Sequence, residues 1–382
     1  FCGKIISSRE GDLVFPTRPV VSVEANIIEA QIIETLLLNI LNFQTLIATK
    51  ASRMKLSARG NKLIDFGLRR SQALGGYFAA RASVIGGFEA TSNVLAGKDF
   101  GIPVSGTMAH AFIQSYDEEL DAFRDFAQAR PDNCILLVDT YNTLKSGVPN
   151  AIKIGKEMES VGNKLLGIRL DSGDLAYLAK EARKMLDEAG LSYVKIAASN
   201  QLDEYVIKSL LDQGAPIDVF GVGTSLVIGE PDAALDGVYK LATVNDQPKI
   251  KLSETKSKVT LPGKKQVYRL FEKNGAMKGA EVVAIYDEKE INQMHHPFEV
   301  DKSLELHGCK LEPLMKEVVK NGKRCTEKNS LSQIYEFSTD QLRQLPEEYK
   351  RFEHPHIYKI GLSDQLNQQR NSLVNMNRKK LK

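Results

Sequence analysis

The chain has 382 residues, room for about two to three domains. Hydrophobic residues make up 42% and charged residues 26%, which excludes wholesale disorder. The 51 basic and 48 acidic residues nearly cancel, so neither a nucleic-acid partner nor a membrane surface is expected. Four cysteines are too few for a disulfide scaffold, and a reducing, cytoplasmic setting is expected.

The chain opens at Phe1 inside a strand-like run, so residues are expected to precede it. Residues 1–23 read as short strands, with turns at Gly11-Asp12 and Pro16-Thr17 and a β-branched run at Val20, Val21 and Val23. From Glu24 to about Met54 the period changes to that of a helix, with Ile27, Ile28, Ile32, Leu36, Ile40, Phe43 and Ile47 recurring every three or four residues. Apolar residues occupy more than one face, so burial against a partner, in a dimer, is expected. Glu29, Gln31, Glu34, Asn39, Asn42 and Gln44 interrupt this stretch, and no segment is expected to span a membrane. Lys50 and Arg53 in its last turns suit either the helix dipole or an anion.

Between residues 60 and 230 short apolar runs alternate with amphipathic helices. The runs are Leu63–Phe66, Ile102–Val104, Ile135–Val138, Leu165–Leu170, Val194–Ala198 and Ile217–Val222. Helices are predicted over 173–189 and 201–213, ended by glycine. This rhythm predicts parallel βα units, and both an open doubly wound sheet and a barrel fit it. Polar residues close every run, as at the C-terminal rim of a barrel, whereas an open sheet concentrates them at one switch point. An irregular α/β barrel is therefore expected over 59–230. Residues 1–58 and a β-rich segment at 231–330 would form a second, mixed α/β domain built from both chain ends. A polar helical extension at 331–382 ends in a basic, solvated tail. Strands at Val238–Val244, Lys249–Leu252, Val267–Phe271 and Glu281–Tyr286 are expected to be antiparallel and to pair with those of residues 1–23.

The rim residues carry the chemistry. Gly221-Val222-Gly223-Thr224 closes the last run; glycines let backbone N–H groups approach a phosphate, although a plain tight turn needs the same residues. Arg169 can clamp an anion with two parallel hydrogen bonds, and Asp171, two residues on, shares its face. Asp171 or Ser172 can cap the next helix, and Asp174 suits its dipole. With Asp139 these carboxylates suggest a phosphorylated ligand with Mg²⁺. His110, just past Ser105-Gly106-Thr107, reads alone as a packing residue; on this rim it suits a nucleophile or acid–base role. Phe66, three residues before Arg69, could be core or could stack on a flat ring. The features together imply a ligand with several anionic groups and a flat ring, which a phosphorylated sugar joined to a heteroaromatic acid would fit.

At these motifs the chain resembles the nicotinate phosphoribosyltransferases. The resemblance rests on Glu29-Ala30-Gln31 through Ala48-Thr49-Lys50-Ala51-Ser52-Arg53, Asp65-Phe66-Gly67-Leu68-Arg69-Arg70, Gly86-Gly87-Phe88 through Ser92-Asn93-Val94, Gly106-Thr107-Met108-Ala109-His110, Val138-Asp139-Thr140-Tyr141, Arg169-Leu170-Asp171-Ser172-Gly173-Asp174 and Gly221-Val222-Gly223-Thr224-Ser225, in the family's order. It implies a type II phosphoribosyltransferase fold. The implied activity joins nicotinate to phosphoribosyl pyrophosphate, giving nicotinate mononucleotide and pyrophosphate in NAD salvage. ATP hydrolysis would be coupled through a transient phosphohistidine, with ATP and Mg²⁺ required, in a homodimer.

By the same resemblance His110 is the phosphorylated residue, and Asp139 and Asp171 orient it or hold Mg²⁺. Arg69 and Arg169 bind the anionic groups, Phe66 stacks on the pyridine, and Gly221, Gly223 and Thr224 hold the 5′-phosphate. Thr107 and Ser172, on the same rim, complete the expected binding set. Related nicotinamide enzymes carry an aspartate at the position of Ser92; a serine donates to a carboxylate, so the acid is the expected substrate. The family's members have a further upstream segment with a tyrosine that closes over the ring, so by this resemblance the sequence is expected to be either a fragment or a compromised protein. Cys309 and Cys325 have no second pair, and no metal cluster is expected. The alternatives are a nicotinamide enzyme or a remnant that binds phosphoribosyl ligands without turnover.

Overall fold

The computed structural model describes residues 1–255 and 259–380. The chain divides into two compact units, residues 41–235 and residues 1–40 with 236–382.

The 41–235 unit is built on six parallel strands. Their spatial order is Ala90–Thr91, Lys62–Asp65, Val219–Val222, Lys195–Ser199, Gly167–Leu170, Ile135–Leu137. Leu63, Leu136, Ile168, Ile196 and Phe220 are fully buried in its core. The run at Ile102–Val104 forms no strand, only a parallel bridge from Val104 to Thr91. Pro103 has no N–H to continue a ladder; its carbonyl accepts from Thr91 N at 3.0 Å. Ala90–Thr91, with two residues, is too short to show alternation in the sequence. Among the described residues no strand pairing joins Val104 to Ile135–Leu137, which makes the barrel irregular.

The helices obey the expected period. Leu175–Glu188 buries Ala176, Ala179, Ala182 and Leu186, and Glu204–Asp212 buries Glu204, Ile207 and Leu210. The cap of Leu175–Glu188 corrects the sequence reading: it is Asp174, whose Oδ1 accepts from Tyr177 N at 3.0 Å. Asp171 and Ser172 are turned instead toward Asp139.

Residues 27–57 form two consecutive helices, Ile27–Ile32 and Glu34–Ser57. The expectation that no segment could span a membrane is corrected in one respect. The stretch contains an 18-residue window of mean hydropathy 1.4, enough by length and composition alone. Of the six interrupting residues only Glu29 and Glu34 carry charge, and both lie near the start of the stretch. Its last turns nonetheless belong to a protein core, with Ile47, Ala51 and Met54 fully buried. Ile27, Ile28, Ile32, Leu36 and Ile40 are exposed in the single chain.

The other unit joins both ends of the chain. One sheet runs Ser303–Glu305, Gln293–His295, Lys359–Ser363, Met277–Ile285, Lys265–Phe271, Lys310–Pro313. A second runs Lys323–Arg324, Lys316–Lys320, Lys4–Ser7, Val21–Glu24. The strand Lys4–Ser7 therefore pairs with Lys316–Lys320, and not with residues 237–300 as expected. Both edges of the Lys265–Phe271/Met277–Ile285 hairpin are already taken, by Lys310–Pro313 and by Lys359–Ser363. The expected strands at Val238–Val244 and Lys249–Leu252 reduce to a small hairpin, Thr243–Val244 with Gln247–Pro248. Between the C-terminal helices Leu331–Gln344 and Asp364–Lys380 lies the strand Lys359–Ser363, whose burial hides it in a polar stretch.

A closed ring of four buried charges ties the first residues to this unit. Arg18 Nε meets Glu281 Oε2 at 2.8 Å and Arg18 Nη2 meets Asp12 Oδ2 at 3.3 Å. Arg269 Nη2 meets Glu281 Oε1 at 2.7 Å and Arg269 Nη1 meets Asp12 Oδ1 at 2.8 Å. Removing one member strands a buried charge, at a cost of about 3–5 kcal/mol. Arg269→Ala is therefore expected to lower the urea midpoint of this unit sharply, measured by far-UV circular dichroism; a wild-type midpoint would contradict the ring's role.

Candidate active site

Parallel register sets the site. Leu137 pairs with Arg169 and Arg169 with Ala197, so two residues further Asp139, Asp171 and Ser199 fall side by side. Ser199 pairs with Gly221 and Gly221 with Ile64, so two residues beyond Ile64, Phe66 follows on the same face near Gly223. Ile64 also pairs with Ala90, which places Ser92 next to Phe66.

Asp139 is the hub. Its side chain is 1% exposed. Oδ1 lies 3.1 Å from His110 Nε2. Oδ2 accepts from Asp171 N at 3.0 Å and from Ser172 Oγ at 2.5 Å. With both oxygens accepting, the His110 contact requires a proton on Nε2, and Nδ1 is then the basic nitrogen. His110 stands at the start of the short helix His110–Gln114 with its ring 39% exposed, open to a reactant.

Arg169 spans the rim. It donates through Nη1 to Thr107 Oγ1, and Nη2 lies 3.5 Å from Asp171 Oδ1. Its guanidinium carbon is 5.9 Å from the centre of the Phe66 ring, within cation–π range. Burial pulls its pKa below the usual arginine value, as does the charge of Arg69, against the pull of Asp171 and Asp139. Nε is buried with no hydrogen-bond partner among the described residues. Arg69 stands exposed on the 3₁₀ turn Leu68–Arg70.

Phe66 lies over Gly221. A Cβ there would enter the Phe66 ring, which gives Gly221 a packing reason independent of any phosphate. Gly223 and Thr224 open the one-turn helix Thr224–Val227, with Thr224 exposed. Ser225 Oγ ties this turn to Leu202 O at 2.6 Å.

The structure thus brings together Thr107, His110, Asp139, Arg169, Asp171 and Ser172, and joins Phe66 to them through Arg169 and Gly221. Thr224 makes no direct polar contact with that group. Two contributors were missed by sequence reasoning. Ser199 donates to Asp171 Oδ1; it closes a predicted run, but its partner needs the strand order. Asp65 holds the turns on either side of the ring position, and a lone strand-end aspartate gave no signal. Lys50 and Arg53 do meet an anion, the buried Glu204, at 2.5 and 2.8 Å. Among the described residues no group of three or more His, Cys, Asp or Glu could hold a metal ion.

The parallel α/β barrel, together with the solved structures it resembles, places the chain among the type II phosphoribosyltransferases. Residues 61–302 match the nicotinate phosphoribosyltransferase (NAPRTase) family, and residues 264–370 match the nicotinate phosphoribosyltransferase C-terminal domain. The chain belongs to the nicotinate phosphoribosyltransferase family. It is 46% identical to the Bacillus subtilis nicotinate phosphoribosyltransferase, covering 94% of this chain and 74% of that one. Identity to the Caenorhabditis elegans enzyme of the same name is 36%, covering 94% and 75%. Among solved structures, human nicotinic acid phosphoribosyltransferase superposes with a TM-score of 0.86 at 29% identity, covering 97% of this chain and 82% of that one. Nicotinate-nucleotide pyrophosphorylase from Pyrococcus furiosus follows at 0.74 and 28%, covering 90% and 81%.

Overpacking a tight site costs about 1–3 kcal/mol. Gly221→Ala should destabilise by that much, and the loss should shrink when Phe66→Ala is added, measured by thermal melting. An additive pair would contradict the packing of Phe66 on Gly221.

Proposed function

We propose a division of labour among these residues for the family's reaction, in which nicotinate and phosphoribosyl pyrophosphate give nicotinate mononucleotide and pyrophosphate. The observation that carries it is the linked set His110–Asp139–Asp171–Arg169–Phe66 on one rim. Phe66 offers a face to the pyridine ring, and Ser92 donates to its carboxylate. The guanidinium of Arg169 and the exposed Arg69 receive diphosphate oxygens. Gly223 and Thr224 hold the 5′-phosphate.

Ring nitrogen attack at C1 forms the C–N bond as the C–O bond to pyrophosphate breaks. Charge builds on the leaving diphosphate, and the fixed guanidinium of Arg169 stabilises it without reorganising. Asp171 uses Oδ1 for Ser199 and Arg169, which leaves Oδ2 for a cation. The residues fit Mg²⁺ as an ion that enters with the diphosphate, since among the described residues no cage of three ligands stands ready. When bound, Mg²⁺ supplies charge neutralisation to the diphosphate.

His110 is proposed to take the γ-phosphoryl group of ATP. Its Nδ1 lone pair attacks phosphorus, the bond to ADP breaks, and water later cleaves the N–P bond. Asp139 on Nε2 stabilises the imidazolium character that develops. The exposed apolar face of Ile27, Ile28, Ile32, Leu36 and Ile40 supports assembly with a second copy.

With γ-labelled ATP, label is expected on His110 in wild type and absent from His110→Ala; label retained in that variant would sink the phosphohistidine assignment. Ser92→Asp should lower the nicotinate-to-nicotinamide ratio of kcat/KM by about one to two orders of magnitude, since one misplaced charge is worth roughly 1.4–3 kcal/mol here. An unchanged ratio in a paired product assay would remove Ser92 from recognition.

A further inference from the structure

We propose that Asp65 is the positioning residue of the ring pocket, locking the turn that carries Phe66 to the turn that carries Ser92, and that this lock sets how well nicotinate is bound. The inference rests on the reading that Phe66 and Ser92 receive the ring and its carboxylate.

Asp65 ends the strand Lys62–Asp65 and pairs with Thr91 on one side and Val222 on the other. Side chains alternate along a strand, so Asp65 and Thr91 share the face opposite to Phe66 and Ser92. The carboxylate therefore works from behind the pocket. Oδ1 accepts from Gly67 N at 2.8 Å, which fixes the turn between Phe66 and Arg69. Oδ2 accepts from Thr91 Oγ1 at 2.7 Å. That hydroxyl oxygen accepts in turn from Asn93 N at 3.0 Å, and Asn93 Oδ1 caps Val94–Phe100 through Ala96 N at 3.1 Å. The backbone carbonyl of Asp65 accepts from Ser92 N at 2.8 Å. One residue thus sets the position of the aromatic floor and of the residue facing the ring substituent.

Asp65 and Thr91 are both fully buried. No cation lies within ion-pair distance of Asp65 among the described residues, and burial pushes its pKa up against the two donors that hold it down. A buried carboxylate without a counter-charge is a poor way to stabilise a core. It does supply two directional acceptors at fixed spacing, which an apolar side chain cannot. Gly67 completes the arrangement: a Cβ there would collide with Val227 and crowd Asp65 Oδ1, so the turn can close onto the carboxylate only with glycine.

The test uses the full chain and compares wild type with Asp65→Asn, Thr91→Val and Thr91→Ser. Thr91→Val keeps the shape of a strand residue and removes the hydroxyl; Thr91→Ser keeps the hydroxyl. An unmet buried hydrogen bond corresponds to roughly a five- to hundredfold change in an equilibrium. KM for nicotinate should rise by about that range in Asp65→Asn and Thr91→Val, while in Thr91→Val, which leaves the Asp65–Gly67 contact in place, kcat and KM for phosphoribosyl pyrophosphate stay within about threefold. Thr91→Ser should restore the wild-type value. A nicotinate KM unchanged in folded Thr91→Val, or a fall in kcat with KM unchanged, would overturn the proposal. Should Asp65→Asn not fold, the Thr91 pair alone decides. Wild type that forms no nicotinate mononucleotide would refute the underlying reading instead, so the two failures are distinguishable.

Discussion

Asp139 is almost wholly buried, yet its two oxygens accept from three donors on two separate segments: the imidazole of His110, and the backbone of Asp171 and hydroxyl of Ser172 in the loop after Gly167–Leu170. A carboxylate in that position can only accept, so the proton must sit on Nε2 and the reactive lone pair on Nδ1. The loop after Gly167–Leu170 is shaped by the same carboxylate. Its backbone bends back to Asp139 before Asp174 starts the next helix. Remove the acceptor, and the orientation of the imidazole and the path of the Asp171–Gly173 turn lose their common anchor.

Around that anchor the parallel sheet does the arranging. Register places Asp139, Asp171 and Ser199 in one row and Phe66 beside Ser92 and Gly223 just beyond. Arg169 bridges the two groups, hydrogen-bonded to Thr107, paired with Asp171 and poised over Phe66. The anionic half of the site and its aromatic half therefore share one cation. Burial weakens that cation's hold on its proton and at the same time strengthens its field on any incoming anion.

Much of this was legible from residues alone. The βα rhythm, the closing polar residues and the period-two relation of Arg169 to Asp171 all survive in the structure. What escaped was non-local. Ser199 becomes a partner of Asp171 only when two strands are known to be neighbours. Asp174 takes the cap because Asp171 and Ser172 are drawn to Asp139, a competition that no helix-cap rule contains. The strand Ala90–Thr91 is too short to show a period, and Pro103 cuts the neighbouring run to a single bridge. Strands near the chain start find partners past residue 315 because the central hairpin's edges are already occupied. Lys50 and Arg53 illustrate the converse: an anion was foreseen as one reading, but its identity as Glu204 depends on packing between distant helices.

The tautomer of His110 tests the central claim most directly. Nitrogen-15 NMR on histidine-labelled chain, with His110→Gln used to assign the resonance, distinguishes a protonated from an unprotonated ring nitrogen. In its neutral form His110 should carry its proton on Nε2 with Nδ1 free, and Asp139→Asn should disturb that preference. A neutral ring protonated on Nδ1 would contradict the account.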